Sequence, residues 1–309
     1  MWYFLIVILG LVVFETVNSI DNAIVNAHVL KTMSSKWRKI FLIWGIFTAV
    51  FIVRGIFPMI IVWLSAPEIG LSGVFRMFFS ADPRVVDLLE SRKGLILIAA
   101  GVFLLLLYLH WLFLEEKTPF FVLDKLVSAD FGIWFFAFAA LLLVGLLYIA
   151  RGSPLLMLSA AIGNALFFIL YGFREQAQKQ EKTLLSGDTR LSDFSKLMYL
   201  EVLDASFSLD GVIGAFAFTT SLPLILIGNG LGALVVRELT IKGIDKVTKY
   251  KFLKNGAMTS IGFLGIFMIV ESLGLNLPDY LPTLVTSFLV GIAFWRSRLL
   301  LNGSPAYVD

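Results

Sequence analysis

Glu15, Asn18, Ser19, Asp21 and Asn22 fall within eight positions of one apolar segment, "FETVNSIDNAIV" (residues 14–25). A second apolar segment, "YLEVLDASFSLDGVIGAF" (199–216), holds Glu201, Asp204, Ser208 and Asp210. Carboxylate, amide and hydroxyl oxygens are hard ligands, suited to Mn²⁺, Ca²⁺ or Mg²⁺ rather than to copper or zinc. The chemistry these residues suggest is binding of a divalent cation. Glu15, Asp21, Asn22, Asp204 and Asp210 would form an oxygen-rich shell, completed by water or backbone carbonyls. Asn18, Ser19 and Ser208 would bind directly or orient the carboxylates, with Glu201 in support. Protonation of such a site would discharge it as the cation leaves, which allows proton exchange for metal.

Other chemistries lack their residues. The chain has no cysteine and only two histidines, His28 and His110, so thiolate sites and disulfides are excluded. It carries no phosphate-binding glycine loop ending in Lys-Ser or Lys-Thr and no G-x-S-x-G element, so transport would not be driven by its own ATP hydrolysis, and no cofactor or enzymatic activity is expected. An intramembrane hydrolase using paired aspartates finds no supporting glycine–aspartate signature.

The elements that must hold these acids are set by composition. Of 309 residues, 59% are apolar and 15% charged, against about 25% charged in ordinary soluble domains. So much apolar surface requires lipid as the solvent, and the chain reads as an all-α polytopic membrane protein. The net charge of +3 then speaks to orientation rather than to nucleic acid, which is not an expected partner. Apolar runs bounded by charges, Pro or Gly predict about nine helices near 2–30, 39–64, 94–114, 131–150, 154–173, 197–220, 222–241, 257–274 and 280–299. The first is read as a retained span rather than a signal peptide. Residues 66–93 read as an external amphipathic loop and 174–196 as a polar cytoplasmic loop, with Ser192 capping the next helix. The bias of Lys and Arg places the amino terminus outside and the carboxyl terminus in the cytoplasm of a cell (inner) membrane protein, whose 1–309 form one transmembrane domain. Whether it assembles as a homo-oligomer is open.

A charge at a helix centre costs roughly 2.5–3.5 kcal/mol, so Glu15, Asp21, Glu201, Asp204 and Asp210 alone in lipid would cost on the order of 12–17 kcal/mol. They must face one another, a cation or water. The two stretches also match each other: with Ser19 on Ser208, "SIDNAIV" aligns with "SLDGVIG", and an acid (Glu15 or Asp204) stands six residues before each Asp. Gly45 precedes Arg54 by nine, as Gly228 precedes Arg237. These correspondences predict two inverted-topology repeats, near 1–115 and 195–275, meeting at the bilayer midplane. On an ideal helix Asp21 points about 120° away from Glu15, so convergence on one ion predicts interrupted helices near Ser19 and Ser208. A span over 2–30 would also be about 43 Å long, beyond a hydrocarbon core of about 30 Å. The competing reading pairs the acids with Arg54 and Arg237 merely to lock helices, but two arginines cannot neutralise five acids, and the preferred reading has each arginine close the site electrostatically or gate it. His110 follows Gly101 by nine, as Glu271 follows Gly262. Each sits near a helix end, and a second site there stays open.

At "ETVNSIDN" (15–22) and "DASFSLDG" (204–211) the chain resembles the TerC-like integral membrane family, named for tellurite resistance. The resemblance implies an α-helical inner-membrane protein and, for several relatives, manganese efflux, with ion-binding positions at Glu15, Asp21, Asn22, Asp204 and Asp210. Asn18 stands where the motif usually has Leu, and Gly211 where it has Asn. The expected function is a secondary transporter exporting a divalent cation, Mn²⁺ first. The alternative is a non-transporting scaffold or partner protein of a stress or secretion complex.

Overall fold

The computed structural model describes residues 2–45, 48, 53–65, 67–79, 83–127, 132–185, 192–242 and 248–303. All regular structure among them is helical. The helices are α1 (Trp2–Asn18), α2 (Ile20–Lys31), α3 (Ser35–Ile40), α4 (Arg54–Ser65), α5 (Gly70–Phe79), α6 (Pro83–Leu114), α7 (Val122–Leu126), α8 (Gly132–Ile149), α9 (Pro154–Leu185), α10 (Asp193–Ala215), α11 (Leu222–Lys242), α12 (Leu253–Ser272) and α13 (Leu281–Gly303).

Six of these are long and apolar enough to cross a membrane, and up to eight spans result if two bent pairs are counted. The chain is therefore a polytopic helical membrane protein. One bent pair is α1 with α2, turned by 49° at Ser19. The other turns by 106° between Arg54–Leu64 and Pro67–Arg76. The predicted span 39–64 crosses 46–47 and 49–52, which lie outside the described residues. Helix α10 is not among the six, because Glu201, Asp204 and Asp210 lower its apolarity.

Helix α6 is the central pillar: Leu97, Ile98, Val102, Phe103, Leu104 and Leu106 are all fully buried. It runs antiparallel to α12, and the two share the most extensive helix contact among the described residues. They approach at Gly101 and Gly265, where a Cβ on Gly101 would lie 2.8 Å from the Gly265 carbonyl oxygen. Small residues at such crossings let backbones meet in lipid, where no hydrophobic force drives helices together. Helices α8, α9 and α13 lie outside. Ile133, Trp134, Phe136, Leu141 and Val144 on α8 are exposed, which suits a lipid-facing surface and no aqueous one.

Two predicted loops are partly helix. The 66–93 segment is a short 3₁₀ turn (Pro67–Ile69), α5 and the opening of α6, which begins at Pro83 rather than near 94. Proline is favoured in a first helical turn, and "VVDLLESRK" contains no breaker. Likewise α9 continues through 174–185, because "REQAQKQEK" consists largely of strong helix formers. Ser192 does cap α10: its Oγ accepts the Ser195 backbone N–H at 3.2 Å.

Candidate functional site

The bend between α1 and α2 involves a single residue. Ser19 leaves the helical region (φ −91°, ψ 5°), yet its N–H still bonds to the Glu15 carbonyl and its own carbonyl accepts from Ala23. The first predicted interruption is thus a hinge, not an unwound stretch. The second does not occur. Helix α10 is continuous from Asp193 to Ala215 through Ser208, because its close packing is met by glycines rather than by a break. A Cβ at Gly211 would collide with Glu15 Oε2, and one at Gly214 would collide with the Phe14 ring.

Glu15 is fully buried. Its Oε1 accepts from Arg54 Nη2 at 2.5 Å, Arg54 Nε at 3.2 Å and Ser19 Oγ at 2.8 Å. Its Oε2, turned toward Gly211, has no hydrogen-bond partner. Arg54 opens α4 and is itself buried. On α11, Gly228 and Gly232 admit α1: a Cβ at Gly232 would lie 2.6 Å from the Glu15 Cβ.

One turn past the hinge, Asn22 donates its Nδ2 to Asp204 Oδ1, joining the first acidic segment to the second. Between them lies a cavity of about 50 Å³, lined by Ser19, Asn22, Asn26, Gly45, Arg54, Asp204, Arg237 and Thr240 among others. Glu201 stands beside it, with Oε1 so close to Gly45 that a Cβ there would collide with it. The wall itself carries one carboxylate, Asp204, and two guanidinium groups, Arg54 and Arg237, with Glu15 and Glu201 standing just behind it.

The other predicted ligands lie elsewhere. Asp21 is half-exposed and takes Lys254 Nζ of α12 at 2.7 Å; the same ammonium lies 2.7 Å from Glu115 at the end of α6. Asp210 is buried against Arg174 of α9, whose Nη2 donates to its Oδ1 at 2.7 Å and to the Ser206 carbonyl at 2.8 Å. Ser208 is buried with an unpartnered Oγ. Asn18 faces a separate small void with Ser260 and Thr286. Among the described residues no three of His, Cys, Asp and Glu gather as a metal-holding group. The structure brings together Asn22, Asp204, Ser19, Arg54 and Arg237 around one cavity, with Glu15 and Glu201 beside it. It keeps Asp21 and Asp210 apart from them.

His110 and Glu271 do not meet. Nδ1 of His110 lies 3.6 Å from Glu115, and its ring packs on Tyr171 with centroids 4.8 Å apart. Glu271 is held at the other end of α6 by Lys93 Nζ at 2.6 Å. Each end of the α6–α12 pair is thus tied by a Lys from one helix and a Glu from the other. Glu115, just past the apolar part of α6, is pulled down to about 2: burial pushes it up, but His110 and Lys254 outweigh that.

Four residues at or beside the acids are not marked by the sequence reading: Arg174, Lys254, Glu115 and Asn26. Arg174 was assigned to a loop, and the uninterrupted helix-forming run from 174 to 185 was the signal that it belongs to α9. Lys254 and Glu115 flank apolar runs where charges are commonplace, so nothing local marked them. Asn26 was passed over although it lies one helical turn from Asn22 on the same face.

These features define a helical membrane protein with a polar, charge-lined cavity at a helix hinge. The sequence profile described as "Protein of unknown function (DUF475)" matches residues 20–302, and the chain belongs to that family. It is also 25% identical, over 109 residues, to a protein named "Uncharacterized membrane protein YceF" from Bacillus subtilis (strain 168); the match covers 35% of this chain and 40% of that one. No solved structure matches the chain.

Proposed function

We propose that the protein is a secondary transporter that exports a divalent cation, Mn²⁺ first, through the cavity between α2 and α10. The observation that carries this reading is the Asn22–Asp204 hydrogen bond at an oxygen-lined cavity beside a helix hinge, with Glu15 and Glu201 just behind its wall. Sites of this kind, near the meeting of two repeats, are how many transporters hold their ions. Hard oxygen donors favour Mn²⁺, Ca²⁺ or Mg²⁺, and the TerC-like motif favours Mn²⁺ among them. Inverted repeats gain support from α6 and α12. They run antiparallel, the apolar part of each is flanked by a Lys before it and a Glu after it, and Lys93 and Lys254 each stand eight residues before a glycine, Gly101 and Gly262.

In an inner membrane with the amino terminus outside, Lys254, Asp21 and Glu115 lie at the cytoplasmic end, and Lys93 with Glu271 at the outer end. Breaking one tie at a time while α2 swings at Ser19 would expose the cavity to either side in turn, the essence of alternating access. Purified protein in proteoliposomes tests this reading. Mn²⁺ flux above empty vesicles, lost in Asp204→Asn, is expected. Wild-type vesicles no more permeable to Mn²⁺, Ca²⁺ and Mg²⁺ than empty ones would overturn it.

A second reading, a non-transporting scaffold, is favoured by one observation: Glu15, Asp210 and Asp21 each already hold a cationic partner. It predicts no flux in the wild type and a loss of folding, rather than of transport, when those partners are removed.

A further inference from the structure

Two side chains lining the cavity are left incomplete by the protein. Asn22 gives its Nδ2 to Asp204, which fixes the amide, since the flipped form would set two oxygens against each other. Its Oδ1 then has no donor, although the residue is only 3% exposed. Asn26 is 7% exposed, and its Oδ1 is likewise without a partner. The two stand four residues apart on α2, so their side chains share the face that lines the cavity. Buried acceptors without donors are costly and rare, and two beside one carboxylate offer a set of oxygen ligands to a cation and its waters.

We infer that Asn22 and Asn26 supply the amide oxygens that hold the transported cation, with Asp204 as the one carboxylate lining the cavity and Asp21 and Asp210 outside the shell. This inference rests on the transporter reading and narrows it. Amide and carboxylate oxygens select a hard cation, and Asn carbonyls are ordinary ligands for one. A cavity of about 50 Å³ has room for the ion with a few waters. A site with a single carboxylate binds weakly, with Kd on the order of 10⁻⁴–10⁻³ M, which suits release on every cycle.

Arg54 also lines the cavity, but its ion pair with Glu15 offsets much of its charge there. Arg237 also lines the cavity, and its Nε has no hydrogen-bond partner. Its charge opposes the cation and sharpens release. An anion site would use the same arginine in the opposite sense, so the two ligand classes predict opposite effects of removing it.

The test is Mn²⁺ binding to the purified full-length protein, read from loss of the free-ion electron paramagnetic resonance signal, alongside Mn²⁺ flux in proteoliposomes. Asn26→Asp adds a charge to the shell and is expected to tighten binding about tenfold, while Asn26→Leu weakens it by about as much. Arg237→Gln is expected to tighten it. The inference is overturned if the wild type binds no Mn²⁺ at millimolar concentration, or if both Asn26 variants bind as the wild type does. It is overturned equally if Arg237→Gln weakens binding, or if Asp21→Asn costs as much as Asn26→Leu. Flux that persists with both Asn26 variants unchanged would sink this inference and leave the transporter standing. Mn²⁺ binding that follows these variants in a protein without flux would sink the transporter and leave the site.

Discussion

Arg54 Nη2 lies 2.5 Å from Glu15 Oε1, and neither side chain has more than 3% of its surface exposed. A buried pair of this kind adds little net stability over an apolar pair of the same volume, but removing one partner strands a charge at a cost of about 3–5 kcal/mol. Arg54→Met should therefore lower the melting temperature in detergent sharply, and Glu15→Gln should do so less because Ser19 still donates to the amide oxygen. The double variant should melt above Arg54→Met alone. Additive losses would show that the two side chains do not act as a pair.

Glu15 keeps its place because α10 and α11 offer glycine where they face it. A methyl group at position 211 would collide with Glu15 Oε2, far inside contact distance. Gly211→Ala should destabilise by about 1–3 kcal/mol, the usual cost of overfilling a packed site. At Gly145, on the exposed face of α8, an added methyl would meet nothing within 4 Å. Gly145→Ala should leave stability unchanged or raise it by up to about 1 kcal/mol through helix propensity. Thermal melting of the two variants side by side separates packing from propensity.

The sequence made some of this arrangement visible and hid the rest for physical reasons. Composition required lipid, and the excess length of the first apolar run, with polar residues at its middle, marked the hinge at Ser19. The energetic need to compensate Glu15, Asp204 and Asp210 was equally plain, because charge in lipid is expensive wherever it sits. What compensates each acid was hidden, because pairing depends on how helices distant in sequence are laid side by side. Arg174 reaches Asp210 only because α9 runs past its apolar portion, and Lys254 reaches Asp21 across the whole chain. The equivalence of Ser19 and Ser208 suggested two broken helices. Only the first bends, since glycines at 211 and 214 let α10 pass Glu15 and Phe14 while staying straight.

Glu115 provides a pH signature. Its carboxyl is lowered from an ordinary 4.5 to about 2: burial works against the shift, and His110 and Lys254 overcome it. A depressed carboxylate contributes stability that is fully present above its unfolded value and is lost as pH falls through the folded one. The tie to Lys254 should thus be intact at pH 7 and still hold at pH 4, weakening only toward pH 2. Melting temperatures of the wild type and Glu115→Gln, measured from pH 7 down to pH 3, should differ most at the upper end and converge as pH falls below about 4.5. A difference that grows on acidification would contradict the assignment.

Lys254 also gives a way to test whether the cavity opens, as the proposed transport requires. Its ammonium bridges α2, which carries Asn22 and Asn26, to the end of α6, with both contacts at 2.7 Å and all three side chains half-exposed. Pairs this exposed contribute about 0.2–1 kcal/mol apiece, small enough to break in the proposed transport cycle and large enough to bias which conformation is populated. The chain has no cysteine, so Thr240→Cys, at the wall of the cavity, is a clean reporter. In that background Lys254→Met should raise the rate of maleimide labelling, by roughly fivefold if both contacts count. Bound Mn²⁺ should slow labelling again in both proteins. Labelling that ignores Lys254→Met would mean that α2 is held shut by packing alone, with the ammonium a bystander at the surface.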